Sequence, residues 1–175
     1  NIYDNFVVIL DRSFPSPIND NYKRNYNFLL DTGLHVLNGF TCHRISFKPK
    51  GKSDVAFTGD MFIDTVSYAV VQVDVAFSIE AKSNDVRNYL IRQNYSLVDG
   101  QQWFLTHSEV LGDFTVVENS KEMTGFYGRK NTELRSIRMN QPREDGFYST
   151  LEPVVVQDSA YERSDVFWNK VRGDT

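Results

Sequence analysis

The stretch Val70-Val71-Gln72-Val73-Asp74-Val75-Ala76-Phe77-Ser78-Ile79 decides the fold class. Val71, Val73, Val75, Phe77 and Ile79 share one parity, and Gln72, Asp74 and Ser78 share the other. Successive side chains of an extended chain point to opposite faces, so this alternation gives one apolar and one wet face. A 3.6-residue period would scatter the same side chains around a helix. The preceding segment behaves alike, with Val55, Phe57, Met61 and Ile63 on one parity and Thr58, Asp60 and Asp64 on the other. With a turn at Thr65–Tyr68 between them, the two runs predict an antiparallel pair with one buried face.

Working outward, Tyr26–Leu30 and Leu34–Leu37 are strand-like, and Asn38-Gly39 is the dipeptide of a type I′ hairpin, whose two central residues both need φ > 0. The return strand runs from Phe40 to Phe47 and ends at Pro49. Asp99-Gly100 predicts a second two-residue hairpin, pairing Leu97 with Gln102, Ser96 with Trp103 and Tyr95 with Phe104. Parity blurs between Leu111 and Phe114, and Gly112 there suggests a bulge. A polar strand from Phe126 to Met139, carrying Arg129, Lys130, Glu133, Arg135 and Arg138, suits a sheet edge protected by charge. At the N-terminus, Ile2, Phe6, Ile9 and Leu10 recur at helical spacing, with Asn1 as cap and Pro15 and Pro17 as stops, so a short amphipathic helix is expected to pack on the sheet. Pro142 to Pro153 reads as irregular, and Ser164 as the cap of a last helix with Phe167 and Val171 inward and Gly173 as its stop.

Together these readings give a mostly β (α+β) fold: a curved antiparallel meander, half-barrel-like, with a few short helices. Residues 1–141 form the sheet domain with its N-terminal helix, and residues 142–175 a linker and short C-terminal helix of the same fragment. The chain has 175 residues, enough for one sizeable core, and its thirteen Phe and nine Tyr against five Ala favour strands. A net charge of −4 without a basic block predicts no nucleic-acid partner. Cys42 stands alone, so no internal disulfide can form. Opening on Asn1 and stopping at Arg172-Gly173-Asp174-Thr175, soon after a helix begins, the chain reads as a piece of a longer polypeptide.

Candidate chemistry is thin. The Asn38-Gly39 turn sets His35 opposite Cys42, but a metal needs three or four ligands. Only His43 and His107 remain among the histidines, with His43 on the face opposite to Cys42. A Cys–His nucleophile pair would also need an orienting third group and an oxyanion site. Asp60, Asp64, Asp74 and Asp113 lie on or near strands, where a solvated face places its charges. Gly125-Phe126-Tyr127-Gly128-Arg129-Lys130 lacks the Gly-Lys-Ser/Thr ending of a phosphate loop, and its glycines suit a turn or a close strand approach. No catalytic, cofactor-binding or metal residue is assigned, and no enzyme activity or cofactor is expected.

Six segments in fixed order carry a family resemblance: Asn1-Ile2-Tyr3-Asp4-Asn5, Ser16-Pro17-Ile18, Cys42-His43-Arg44-Ile45-Ser46-Phe47-Lys48-Pro49-Lys50, Phe57-Thr58-Gly59-Asp60-Met61-Phe62-Ile63-Asp64, Gly125-Phe126-Tyr127-Gly128-Arg129-Lys130 and Asp165-Val166-Phe167-Trp168. They resemble a domain of unknown function in Bacteroidetes outer-membrane proteins described as carboxypeptidase-like regulatory-domain-containing. That domain lies between a small β-sandwich and a predicted outer-membrane β-barrel. Residues Asp145 to Ala160 match least. The resemblance implies a cell-envelope location, periplasmic or surface-facing, with other domains of the same polypeptide (a β-barrel included) as partners, and no established catalytic residues. Asp54–Ile79 is also similar, more loosely, to the central hairpin of the LolA/LolB lipoprotein-carrier fold. The function expected is therefore a non-catalytic module that scaffolds or links domains of an outer-membrane protein. The alternative is lipid or lipoprotein binding in the concave face of the half-barrel.

Overall fold

A computed structural model describes residues 2–9, 12–51, 56–78, 86–119, 122–142, 144, 146 and 162–172, with side chains for all of these but 116–124 and 170–172. The chain divides into two compact units, Asn1–Ile137 and Arg138–Thr175. In the first, strands β1 (Phe6–Ile9) and β2 (Arg12–Pro15) form a small hairpin, followed by one helical turn, α1 (Tyr22–Asn25). Among the described residues seven strands then follow in chain order: β3 (Tyr26–Leu37), β4 (Phe40–Pro49), β5 (Phe57–Asp64), β6 (Val70–Phe77), β7 (Val86–Val98), β8 (Gln102–Asn119) and β9 (Glu122–Glu133). Each pairs antiparallel with the next, so the sheet is an open meander with β3 and β9 at its edges. Strands β4 and β8, which are not neighbours, meet at Phe40 and Trp103, 4.7 Å between ring centres, because the sheet curls at that end.

The alternation of the β5–β6 pair is realised as expected. Val71, Val73, Val75 and Phe77 are buried together with Phe57 and Met61, while Asp60, Gln72 and Asp74 occupy the other face. Val55 and Ile79 lie outside the described residues. Asn38 (φ 51°) and Gly39 (φ 84°) close the β3–β4 hairpin directly beyond the Leu37–Phe40 pair, as type I′ geometry requires. Strand β9 is an edge strand, as its charges suggested, but it begins at Glu122 and ends at Glu133 instead of running to Met139.

Three expectations fail, each for a local reason. The first is the N-terminal helix, because Phe6–Ile9 is a strand. Phe6 and Ile9, three residues apart, share a helix face but fall on opposite faces of a strand. Accordingly Ile9 is buried and Phe6 is 58% exposed. The run Val7-Val8-Ile9 is β-branched, and so short a segment gains little from helix formation alone. The second is the register at Asp99-Gly100. The turn has positive φ at both residues and a Gln101 N–H to Val98 O bond, but Val98 pairs with Gln102, leaving Gln101 as an extra residue. Tyr95 therefore faces Leu105 and not Phe104, Leu97 faces Trp103, and Ser96 faces Phe104. The extra residue turns Trp103 and Leu105 towards the core, against which both pack. The third is Gly112, which pairs regularly with Tyr89 and Gly128. A Cβ there would sit 2.3 Å from the Phe114 ring, so the glycine makes room for that ring. The irregularities lie beside it: an extra β7 residue between Val86 and Asn88, opposite Phe114 and Asp113, and shifts on β8 between Leu105 and His107 and between Thr115 and Val117.

The N-terminal segment covers the apolar face. Ile2, Ile9 and Phe14 are buried against it, with Phe14 stacked on Phe77 at 4.9 Å and tilted against Phe57 at 5.4 Å. Polar clasps fix the segment: the Ile2 N–H donates to Gln93 Oε1 (3.1 Å), Ser16 Oγ donates to the Ile2 carbonyl (2.5 Å), and Val70 N–H donates to the Tyr3 hydroxyl (3.2 Å). Tyr26, 1% exposed, joins three elements: its hydroxyl donates to Pro15 O (2.5 Å) and accepts from Phe57 N–H (3.3 Å). Burial pushes this phenol up to about 12, only partly offset by the Phe57 amide.

In the second unit, α2 (Asp165–Arg172) begins directly after Ser164, whose carbonyl accepts the Phe167 and Trp168 amides at 3.0 and 3.2 Å. Phe167 and Trp168 are half-buried. The Val171 side chain and Gly173, expected to face inward and to stop the helix, lie outside the described residues. Among the described residues, no helix is long and apolar enough to cross a membrane.

Truncating the residue that plugs the core should separate the two readings of the N-terminus. Phe14→Ala is expected to cost about 3–5 kcal/mol in urea unfolding, the range of buried Phe truncations. Phe6→Ala, on the exposed face of the hairpin, is expected to cost under about 1 kcal/mol.

Candidate functional site

The face of the sheet opposite the core carries its ionisable side chains in rungs across the strands. Directly paired residues share a face, and one such row runs Leu29, Ser46, Asp60, Asp74, Arg92, Glu109, Asn131 from β3 to β9. Asp60 and Asp74 face each other, which would be unfavourable without counter-charges. Each carboxylate has its own. Arg44 grips Asp60 through Nε and Nη2 at 3.1 and 3.0 Å, and Ser46 Oγ donates to the same carboxylate at 2.6 Å. Arg92 Nε donates to Asp74 at 2.6 Å and Gln72 Nε2 at 2.8 Å, while Arg129 pairs with Glu109 at 2.7 Å. Above this row lies a cleft of about 740 Å³ whose walls include Leu29, Lys48, Leu90 and Leu111.

Burial alone would raise Asp60, but the hydrogen bonds from Arg44 and Ser46 outweigh it and hold the carboxyl below the ordinary carboxylate range. With both oxygens engaged, Asp60 is an anchored anion and a poor proton donor near neutrality. Asp113 pairs with Arg87 at 3.4 Å. Asp64 closes its own turn: the Ser67 hydroxyl and amide both donate to it at 2.7 Å, and they hold its carboxyl low. The four aspartates thus act as ion-pair partners and turn formers.

His35 and Cys42 are directly opposite, as their turn required. His35 Nε2 lies 3.1 Å from Asp31 Oδ2, and its ring meets Phe62 edge-on. Cys42 is fully buried, and its thiol donates to the Phe40 carbonyl at 3.6 Å. Burial, then the nearby Asp64 charge, push that thiol up, opposite to what a nucleophilic thiolate needs. His43 pairs with Ile63 on the core side, and His107 with Asn94 on the other face. Among the described residues no group of three His, Cys, Asp or Glu side chains converges as a metal set. Gly125-Phe126-Tyr127-Gly128-Arg129-Lys130 is not a loop but the middle of β9, where a Cβ on Gly125 would lie 2.2 Å from the Phe114 carbonyl oxygen. Close strand approach thus accounts for Gly125.

Residues 1–131 match the model of a family described as "Family of unknown function (DUF5686)". The chain belongs to this family. The DUF5686 match ends two residues short of the end of β9 and so takes in the N-terminal hairpin and nearly all of the sheet. No curated protein matches the chain, and no solved structure does.

The rung of charges is the feature that sequence reading missed. Asp60 and Asp74 were visible as polar-parity residues, but their facing positions and their separate arginines follow from register. The ionised forms of Asp60 and Asp64 are stabilised by folding, so that stability is present above an ordinary aspartate value near 3.8 and is lost as pH falls through the lowered native values. Thermal melts from about pH 6 to pH 2.5 are expected to show a steep fall below about pH 4. Asp64→Asn should be less stable at neutrality and fall less steeply in acid.

Proposed function

We propose that this DUF5686 domain is a non-catalytic cell-envelope module that scaffolds or links domains of a larger outer-membrane polypeptide. The observation that carries this reading is the covered apolar face: Ile2, Ile9 and Phe14 of the chain itself pack into the core cluster with Phe57, Met61, Val73, Val75 and Phe77. The charged groups of the other face support the same reading, because they neutralise one another across strands instead of converging on a point where a substrate atom would sit. Such partly exposed pairs contribute about 0–1 kcal/mol each and mainly hold register. A folded module in which, among the described residues, no metal-ligand set converges suits a connector between a preceding domain and a β-barrel. The Bacteroidetes origin, the carboxypeptidase-like regulatory neighbour and the barrel belong to this proposal as its context.

A second reading, lipid or lipoprotein binding, draws on the cleft, whose volume lies in the range of about 300–1,000 Å³ usual for ligand pockets. Leu29, Leu90 and Leu111 give it apolar walls, but Asp60, Asp74 and Arg92 cross its floor. An acyl chain laid there would desolvate those groups, which is costly.

Native mass spectrometry of the purified chain, with and without added phospholipid, is expected to show no bound acyl species. In the full polypeptide, Phe14→Ala is expected to lower the amount of folded barrel, read by heat-modifiable gel mobility, whereas Asp60→Asn leaves it near the wild-type level. A stoichiometric lipid that Leu90→Asp displaces would reverse the ranking.

A further inference from the structure

The core face is covered unevenly. The N-terminal segment seals it over the middle strands, but along edge strand β3 the residues of the same face stay open: Leu30, Leu34 and Val36 are 57%, 61% and 75% exposed. Leu29, on the other face, is 71% exposed. Among the described residues, β3 has a strand neighbour on one side only, β4. An edge of this length with apolar side chains on both faces is a template for another strand.

We propose that β3 pairs with β3 of a second copy of this chain, antiparallel about a two-fold axis through Gly33, so that the two sheets become one. Three observations lead to a second copy. The first is charge. An axis at Gly33 sets Asp31 opposite His35 of the second copy, and His35 opposite its Asp31. Within one chain the two are already 3.1 Å apart, so each carboxylate comes to lie between two imidazoles. The second is the apolar pattern: the same register sets Leu30 opposite Val36 of the second copy on the core side, joining the two open stripes where they are most exposed. The third is the backbone. Beyond a two-residue turn the hydrogen-bonded pairs are Leu37–Phe40 and His35–Cys42, so Leu34 and Val36 direct their amide and carbonyl groups outward. At the other end the Lys50 N–H bonds to Asn25 O, which by the same alternation turns Phe28 and Leu30 outward. Leu30 and Val36 are thus a matched outward pair in this register. The irregularity between Leu30 and Leu34 preserves that parity, and the Gly33 N–H at its centre is already bound by Asp31 Oδ1 at 3.0 Å.

Sedimentation velocity on the 175-residue chain from about 1 to 100 µM is expected to show a reversible dimer, a common affinity class for transient association. Leu34→Lys and Val36→Lys, at exposed positions that the fold does not need, should each weaken it by about tenfold or more, as should Asp31→Lys. Exchanging the pair, Asp31→His with His35→Asp, should restore association. The register has its own test. A Cβ on Gly33 meets only Asp31 Oδ1, at 3.6 Å, so Gly33→Cys is compatible with the fold. Across the axis the two Cα atoms would be about 4.5–5.5 Å apart, within reach of a disulfide. Mild oxidation should therefore trap Gly33→Cys as a covalent dimer, and leave Val66→Cys, on the exposed Thr65–Tyr68 turn, monomeric. A wild-type chain that stays monomeric throughout this range overturns the proposal, even if it takes up a strand from another domain of a longer polypeptide. So does a dimer that Leu34→Lys leaves intact and Gly33→Cys does not trap.

Discussion

The apolar face of a single open sheet cannot be left in water, and in this chain the covering layer is the N-terminal segment. Val73, Val75, Phe77, Phe57 and Met61 form a face of contiguous side chains, and among the described residues of the sheet unit no long helix lies available to bury it. Ile2, Ile9 and Phe14 supply the missing side of the core, and each enters from irregular chain or from a two-stranded hairpin that would be marginal by itself. Their seating depends on polar clasps, since buried backbone groups outside the ladders need partners. Gln93 and Ser16 serve Ile2, and Tyr26 serves Pro15 and Phe57. The Tyr26 hydroxyl uses both its donor and its acceptor capacity in joining β2, β3 and β5.

With one face covered over its middle strands by the chain itself, the other is free to be polar, and its charges are arranged by the pleat. Parity alone puts Asp60 beside Asp74, a repulsive pair, and the neighbouring arginines pull the two carboxylates apart. This is a structural solution: every aspartate singled out for chemistry is bound to an arginine or to its own turn. The sulfur of Cys42 is likewise enclosed and desolvated. These environments favour fixed protonation states over proton transfer.

The hairpin dipeptides and the period-2 runs were legible because each is a local property of the chain. Asn38-Gly39 specifies a turn whose geometry needs two positive φ values, and Val71 to Phe77 can bury one face only as a strand. The Asp99-Gly100 turn was legible too, but its register was not. Whether Gln101 belongs to the ladder depends on which face Trp103 and Leu105 must take, and that is set by a core that sequence distance hides. Gly112 looked like a bend and proved to be space for the Phe114 ring, a contact that only paired strands create.

The sequence by itself determined that this is a β meander with one apolar face, which turns close its hairpins, and that Cys42 has no disulfide partner within the chain. It also determined the composition of the charged face, though not its connections. Only the tertiary structure decided that Phe6–Ile9 is a strand, which of Phe6 and Phe14 enters the core, and which arginine meets which aspartate. The physical reason is the range of the interactions. Side-chain alternation and turn conformation are settled within a few residues, whereas burial and ion pairing join residues as far apart as Ile2 and Gln93. Where local preference is weak, as in the first ten residues, the face that needs covering chooses the conformation.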